Sequence, residues 1–138
     1  MNKQLKYDTV YMKMAIEWSI LSHCKRKKVG SLIVKNGMII SDGYNGTPSG
    51  TDNNCEDCNG VTNWYVIHAE ANAILKCAKW GQSCHGSTMY LTHSPCKDCS
   101  KLILKSGISR LVYNELYKDR DGVDFLEKSG LEIIKLGI

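Results

Sequence analysis

The sequence predicts an α/β domain: a three-layer α/β/α sandwich built on a five-stranded mixed sheet. Three observations carry that expectation. Two apolar runs meet at Asn36-Gly37, a strong signal for a two-residue hairpin. In the second half, short apolar runs alternate with stretches of helical spacing, the pattern of parallel strands joined by right-handed crossovers. Finally, 138 residues with 43% apolar and 23% charged composition suit a single globular domain, residues 1–138, with one real core.

Taken in order, Tyr7, Val10, Tyr11, Met14, Trp18 and Leu21 recur at helical spacing and predict an amphipathic helix over about 6–23, its aromatics in the core. "GSLIVKNGMIISDGYN" is the hairpin and supplies one antiparallel pair. Residues 69–80 predict a second helix, closed by Gly81. "STMYLTHS" reads as a strand, "CKDCSKLILKS" as a helix stopped at Gly107, and "ISRLVYN" as a strand. A short helix over about 121–128, closed near Gly130, and the strand "LEIIKL" finish the chain.

No segment approaches the length needed to span a bilayer, and the N-terminal "MNKQLKYDTVYMKM" lacks the apolar run of a signal peptide. The expected location is the cytoplasm. Seven cysteines form an odd set, so reduced thiols or metal ligands are expected rather than a disulfide framework. The net charge of +4 suits an anionic small molecule or a nucleic acid without choosing between them.

The chemistry concentrates at two helix starts. Cys96 and Cys99, three apart, both project from the first turn of a helix opened by Pro95. The positive end of that helix favours thiolates, the form that binds metal. His68 opens the other helix, and its imidazole completes a three-ligand set suited to zinc. Three protein ligands leave a fourth position for water, the mark of a catalytic zinc. Glu70 stands two residues along from His68 and so off its face, placed to face that water and exchange protons with it. The alternative, a zinc ribbon pairing Cys55 and Cys58 with Cys96 and Cys99, fails on spacing. The stretch between the pairs, residues 59–95, is about twice the roughly 15–20 residues of ribbons.

His-x-Glu followed by Pro-Cys-x-x-Cys is the zinc deaminase signature. With it, "LSHCKRKKVGSLIV", "GYNGTPSG", "HAEANAILKCAK", "TMYLTHSPCKDCSKLILKSGI" and "VYNELY" make nearly the whole chain resemble the zinc-dependent cytidine deaminase superfamily, and within it the deoxycytidylate (dCMP) deaminases of bacteria and phages. The resemblance implies the cytidine deaminase-like fold, with His68, Cys96 and Cys99 as zinc ligands and Glu70 as proton shuttle. It implies hydrolysis of dCMP to dUMP and ammonia, supplying dUMP for dTMP synthesis. It also implies that Ala69, Ser94 and Pro95 read the pyrimidine edge and that Asn45 binds the sugar–phosphate end. Similar enzymes are commonly homohexamers activated by dCTP and inhibited by dTTP, with Mg2+ accompanying the triphosphate. Lys28, Gly46 and Thr47 are the residues offered for that effector site.

The hairpin brings Arg26 and Asn45 to one sheet edge, which makes Arg26 a candidate for the 5′-phosphate. Lys25 and Lys27 read as solvated, and Arg120 is a weaker phosphate candidate. Tyr117 either closes over the pyrimidine or packs. Some similar proteins hold a second, structural zinc near the positions of Cys24 and Cys55; here it would need Cys58 or His23 as well. Cys77 reads as core, while Cys84 and His85 point to nothing firm.

Two rivals stand beside this reading. A deaminase of a free nucleoside, a tRNA base or single-stranded DNA is one. A nucleic-acid editor needs a broader basic and aromatic surface than the short run 25–28 provides, so no polymeric nucleic acid is expected as partner. A non-catalytic zinc-binding module is the other, and it gives Glu70 no role.

Overall fold

Asn36 and Gly37 both have positive φ, 52° and 74°. That is the mirror-type turn whose twist matches a hairpin. It joins β1 (Gly30–Lys35) to β2 (Met38–Tyr44). The rest of the computed structural model, which describes residues 2–138, follows the predicted order. α1 (Lys3–Ser19) precedes the hairpin. α2 (Ala69–Lys79), β3 (Thr88–His93), α3 (Lys97–Lys105), β4 (Arg110–Glu115), α4 (Asp121–Lys128) and β5 (Glu132–Lys135) follow it. The strands lie in the order β2, β1, β3, β4, β5. β1 pairs antiparallel with β2 and β3, and β3–β4 and β4–β5 are parallel. The five-stranded mixed sheet is as expected.

Strand alternation divides the core in two. Leu32, Val34, Tyr90 and Val112 face α1, packing with Met12 and Ala15. Ile33, Met89, Leu91 and Leu111 face the other way, against Ala73 and Cys77 of α2, Ile103 of α3 and Leu126 of α4. One helix covers one face and three cover the other, which completes the three layers. Cys77 is core, as read, and Cys84 joins it.

α1 departs from expectation in both extent and face. Asn2 caps it, its side-chain oxygen accepting the Leu5 N–H at 2.7 Å, so the helix starts at Lys3 and stops at Ser19 rather than spanning 6–23. The chain must then turn to let the Ser22 hydroxyl donate to the Asn45 carbonyl at 2.8 Å. The buried residues are Asp8, Met12, Ala15 and Ser19. Of the aromatics expected in the core, Tyr7 is exposed and Tyr11 and Trp18 are half-buried, and Val10, Met14 and Leu21 are exposed as well. The reason is Asp8. Arg110 of β4 donates to both its oxygens, at 2.9 and 2.6 Å, and Tyr90 donates at 2.6 Å. A carboxylate is buried only when paired in this way, and the pairing turns the apolar stripe outward.

The long connection between β2 and α2 folds back over residues 20–29. Both Glu56 oxygens accept from the Lys25 N–H, and one accepts from the Arg26 N–H at 3.2 Å. Cys24 and Cys55 are thereby brought to a Cα separation of 5.1 Å and form a disulfide. This corrects the expectation of reduced thiols at these two positions. Cys58 remains free and exposed. The candidates for a second zinc do gather here, with His23 and Cys58 beside Cys55, but the Cys24 and Cys55 sulfurs are bonded to each other.

Two glycines set how closely the helices sit. A Cβ on Gly43 would stand 2.4 Å from the Ala69 carbonyl oxygen, and one on Gly122 would stand 2.3 Å from that of Pro95. Only glycine lets β2 meet the start of α2, and α4 meet the start of α3, at that range. Those helix starts carry the site.

Candidate active site

The N-termini of α2 and α3 open into one cavity of about 330 Å³. His68 is the N-cap residue of α2 and Cys96 that of α3, both extended in backbone. The Cys96 sulfur caps the helix itself, accepting the Cys99 N–H at 3.4 Å. His68 Nδ1 lies 3.3 Å from Cys99 Sγ and 3.7 Å from Cys96 Sγ. A nitrogen and a sulfur bound tetrahedrally to zinc are about 3.6 Å apart, from bond lengths of about 2.0–2.1 and about 2.3 Å. The three donor atoms therefore stand close to where a zinc ion needs them. Cys58, the other exposed thiol, is not part of this group.

The electrostatics suit a cation. Hydrogen bonds from the Cys99 thiol and from His68 push the Cys96 thiol down to about 4, so it is a thiolate at neutral pH. The neighbouring Cys96 sulfur, together with burial, holds the Cys99 thiol up. The Cys96 sulfur also raises the His68 imidazole above its usual range. Glu70, in the first turn of α2, is buried, and that burial raises its carboxyl to about 7. It faces the cavity beside His68.

Ala69, Ser94 and Pro95 line the same cavity, as do Asn45, Arg26 and Tyr117. Asn45 has structural partners for its amide: Oδ1 accepts the Val29 N–H at 2.9 Å and Nδ2 donates to the Lys27 carbonyl at 2.8 Å. It fixes the turn that carries Arg26, whose Nη1 reaches Thr62 Oγ1 at 3.5 Å. Ser94 is buried and holds the Tyr117 backbone, its hydroxyl accepting the Tyr117 N–H at 2.7 Å while its own N–H donates to the Glu115 carbonyl at 2.8 Å. The structure leaves Arg120, Lys28, Gly46 and Thr47 off the cavity wall. Arg120 instead pairs with Asp124 and Glu127 of α4 at 3.3 and 3.1 Å. Lys28 donates to the Ser22 carbonyl, Gly46 N–H to the Ile67 carbonyl, and the Thr47 hydroxyl to the Asp52 carbonyl.

The sequence reading gave no place at this cavity to Lys27, which it took as solvated, or to Glu56, His93, Lys97, Lys118 and Asp119, which all line it. His93 lies between the Thr92 hydroxyl at 2.9 Å and Glu115 at 3.1 Å. Burial and the nearby Lys27 ammonium hold its imidazole below the usual range. The available signals were adjacency to Arg26, Tyr117 and Ser94; Glu56 had none, because its loop reaches the site only through the fold.

Residues 5–115 match the family described as the cytidine and deoxycytidylate deaminase zinc-binding region. The chain belongs to that family. Within it, similarity runs to the deoxycytidylate deaminases. The chain is 39% identical to the deoxycytidylate deaminase of Enterobacteria phage T4, over 83% of this chain and 82% of that one. It is 36% identical to that of Mycobacterium phage D29, over 78% and 93%. Among solved structures, the dCMP deaminase of cyanophage S-TIM5, in complex with dCMP and dUMP, superposes with a TM-score of 0.91. Its identity is 47%, and 98% of each chain is covered.

Proposed function

We propose that this chain hydrolyses dCMP to dUMP and ammonia, with His68, Cys96 and Cys99 holding a zinc ion and Glu70 moving the protons. The observation that carries the proposal is the buried Glu70 carboxyl in one cavity with a three-donor metal cluster and with the cations Arg26, Lys27 and Lys118. The similarity to a dCMP deaminase in complex with dCMP and dUMP supports this substrate. Zinc, when bound, supplies a polarised water at neutral pH.

Glu70 takes one proton from the attacking water and delivers it to N3 of the pyrimidine, then carries the second from the newly formed C4 hydroxyl to the amine, so that the C4–N bond breaks, ammonia leaves and the C4 carbonyl forms. A carboxyl raised to about 7 by burial holds or releases a proton near neutral pH, as both halves of that transfer need. Buried Ala69, Ser94 and Pro95 put backbone groups against the base edge. Arg26 faces the 5′-phosphate, and Tyr117 closes one side.

Ammonia release from dCMP, deoxycytidine, CMP and dCTP tests this, with dCMP expected to be turned over fastest. Absence of release from dCMP by zinc-loaded protein would overturn it. Further copies of the chain and the effectors dCTP and dTTP, the triphosphate with Mg2+, complete the proposal. The exposed apolar face of α1 supports self-association.

A further inference from the structure

Cys24, Cys55 and Cys58 take no part in the catalytic reading, yet the fold gathers them against its cavity. Cys24 lines the cavity itself, and Cys55 and Cys58 line a second hollow behind it. Arg26 and Glu56 line both, so the segment that the Cys24–Cys55 disulfide holds is the partition between the two. That disulfide spans 31 positions of sequence and joins residues 20–29 to the loop after β2. Among the described residues, the other polar links between these segments are weaker. Glu56 accepts the Lys25 and Arg26 N–H groups, and Thr62 accepts from Arg26 at 3.5 Å. The covalent clasp is therefore what keeps this wall in place.

The clasp is shielded. Cys24 is 3% and Cys55 2% exposed, so a thiol in solution has no path to either sulfur, and exchange requires direct attack on one of them. Cys58 is different, a free and exposed thiol three residues beyond Cys55. A tight turn carries it. Asp57 Oδ1 accepts the Asn59 and Val61 N–H groups at 2.8 and 3.0 Å, and the Gly60 N–H donates to the Asp57 carbonyl at 3.0 Å. At the base of the turn, the Asn63 N–H donates to the Cys55 carbonyl at 2.7 Å. Cys55-Glu-Asp-Cys58 thus has one end in the buried clasp and the other in solvent, at the Cys-x-x-Cys spacing of dithiols that exchange.

We infer that Cys55 and Cys58 form a thiol–disulfide exchange site, through which a dithiol reductant in solution opens the Cys24–Cys55 clasp and loosens the cavity wall. The Cys58 thiolate attacks Cys55 Sγ. A Cys55–Cys58 bond forms, the Cys24–Cys55 bond breaks, and Cys24 leaves as a thiolate that takes up the proton Cys58 gave. The reductant then attacks the exposed Cys58 sulfur, and its second thiol resolves the mixed disulfide. Two electrons and two protons pass to Cys55 and Cys58, and the reductant ends as a disulfide. The effect on substrate rests on the deaminase reading, whereas the exchange does not. If the clasp is instead a fixed brace, it opens only when the fold opens, and Cys58 is irrelevant to the rate.

The test compares the native chain, Cys58→Ser and Cys24→Ser, all zinc-loaded. Each is treated with dithiothreitol under native conditions, quenched in acid, alkylated and mapped by peptide mass. Cys24 of the native chain should become free at least about 10-fold faster than in Cys58→Ser, with a Cys55–Cys58 linked peptide appearing on the way. Before reduction, Cys58→Ser should match the native chain in turnover. Cys24→Ser, whose clasp cannot form, should show a KM for dCMP about 3–10-fold higher, with kcat within about 2-fold and a matching fall in calorimetric affinity for dUMP. The native chain reduced at the clasp should show the same fall, so poor folding of Cys24→Ser does not hide the result. Equal opening rates in native chain and Cys58→Ser overturn the inference, as does native dUMP affinity with the clasp open. So does Cys24 found alkylated before any reductant is added. Exchange as expected, with no ammonia released from dCMP, would sink the deaminase reading and leave the exchange site standing.

Discussion

At the scale of residues, His68 and Glu70 divide one helix turn into two jobs. His68 turns toward the cysteines, while Glu70 is buried in the cavity without contacting either sulfur. Glu70→Gln keeps size and polarity and removes the exchangeable proton. It should retain zinc and melting temperature and lose about 10²–10⁴-fold in turnover, measured as ammonia release beside metal analysis. Near-normal turnover would remove Glu70 from the mechanism. Cys96→Ala should instead lose the metal, since two donors are left where zinc needs three from the protein. Full zinc content in that variant would show the ligand assignment to be wrong. These four residues were legible in the sequence because each sits within the first turn of its own helix. Lys27 and Lys118 were not legible. They meet on the cavity wall only through the fold, and no local spacing encodes that.

At the scale of elements, legibility follows the same line. The hairpin was plain because Asn36-Gly37 fixes its turn with no help from the rest of the chain. The face of α1 was not, because periodicity shows a stripe without saying which way it points. Asp8 decides that, through a β4 arginine 102 residues away in sequence. Asp8→Asn leaves Arg110 with only the exposed Glu132 and should cost about 2–4 kcal/mol, read as a lower melting temperature. Burial alone would raise the Asp8 carboxyl, but hydrogen bonds from Arg110 and Tyr90 outweigh it and hold the group below its usual range. A depressed carboxyl contributes stability that is full above its unfolded value of about 3.8 and fades as pH falls through the lower folded value. The gap in melting temperature between native and variant should thus stay constant above about pH 5 and close below about pH 4. A gap that widens in acid would contradict the pairing. The disulfide was illegible for the reason Glu56 was: the loop after β2 finds residues 20–29 only in three dimensions.

At the scale of the whole molecule, the outward stripe of α1 and the proposed regulation form one question. Tyr7, Val10 and Met14 lie along one side of α1 and are all more than a third exposed, although α1 forms the whole of one outer layer. An exposed apolar row of this kind is what an interface between copies presents. Sigmoidal dependence on dCMP requires more than one site per particle, and effectors act by preferring one state of the assembly. Assembly should therefore be a condition for regulation. The native chain is expected to sediment as an oligomer well above its 15.5 kDa mass, with sigmoidal dCMP kinetics that dCTP makes hyperbolic and dTTP suppresses. Val10→Arg with Met14→Glu places charges on exposed positions that touch neither core nor cavity, so each monomer keeps its site. That variant should sediment as a monomer and show hyperbolic kinetics unmoved by either triphosphate. An oligomer that persists in the variant would place the interface elsewhere. A native chain that is monomeric and indifferent to dCTP and dTTP would remove regulation and leave the chemistry at Glu70 untouched.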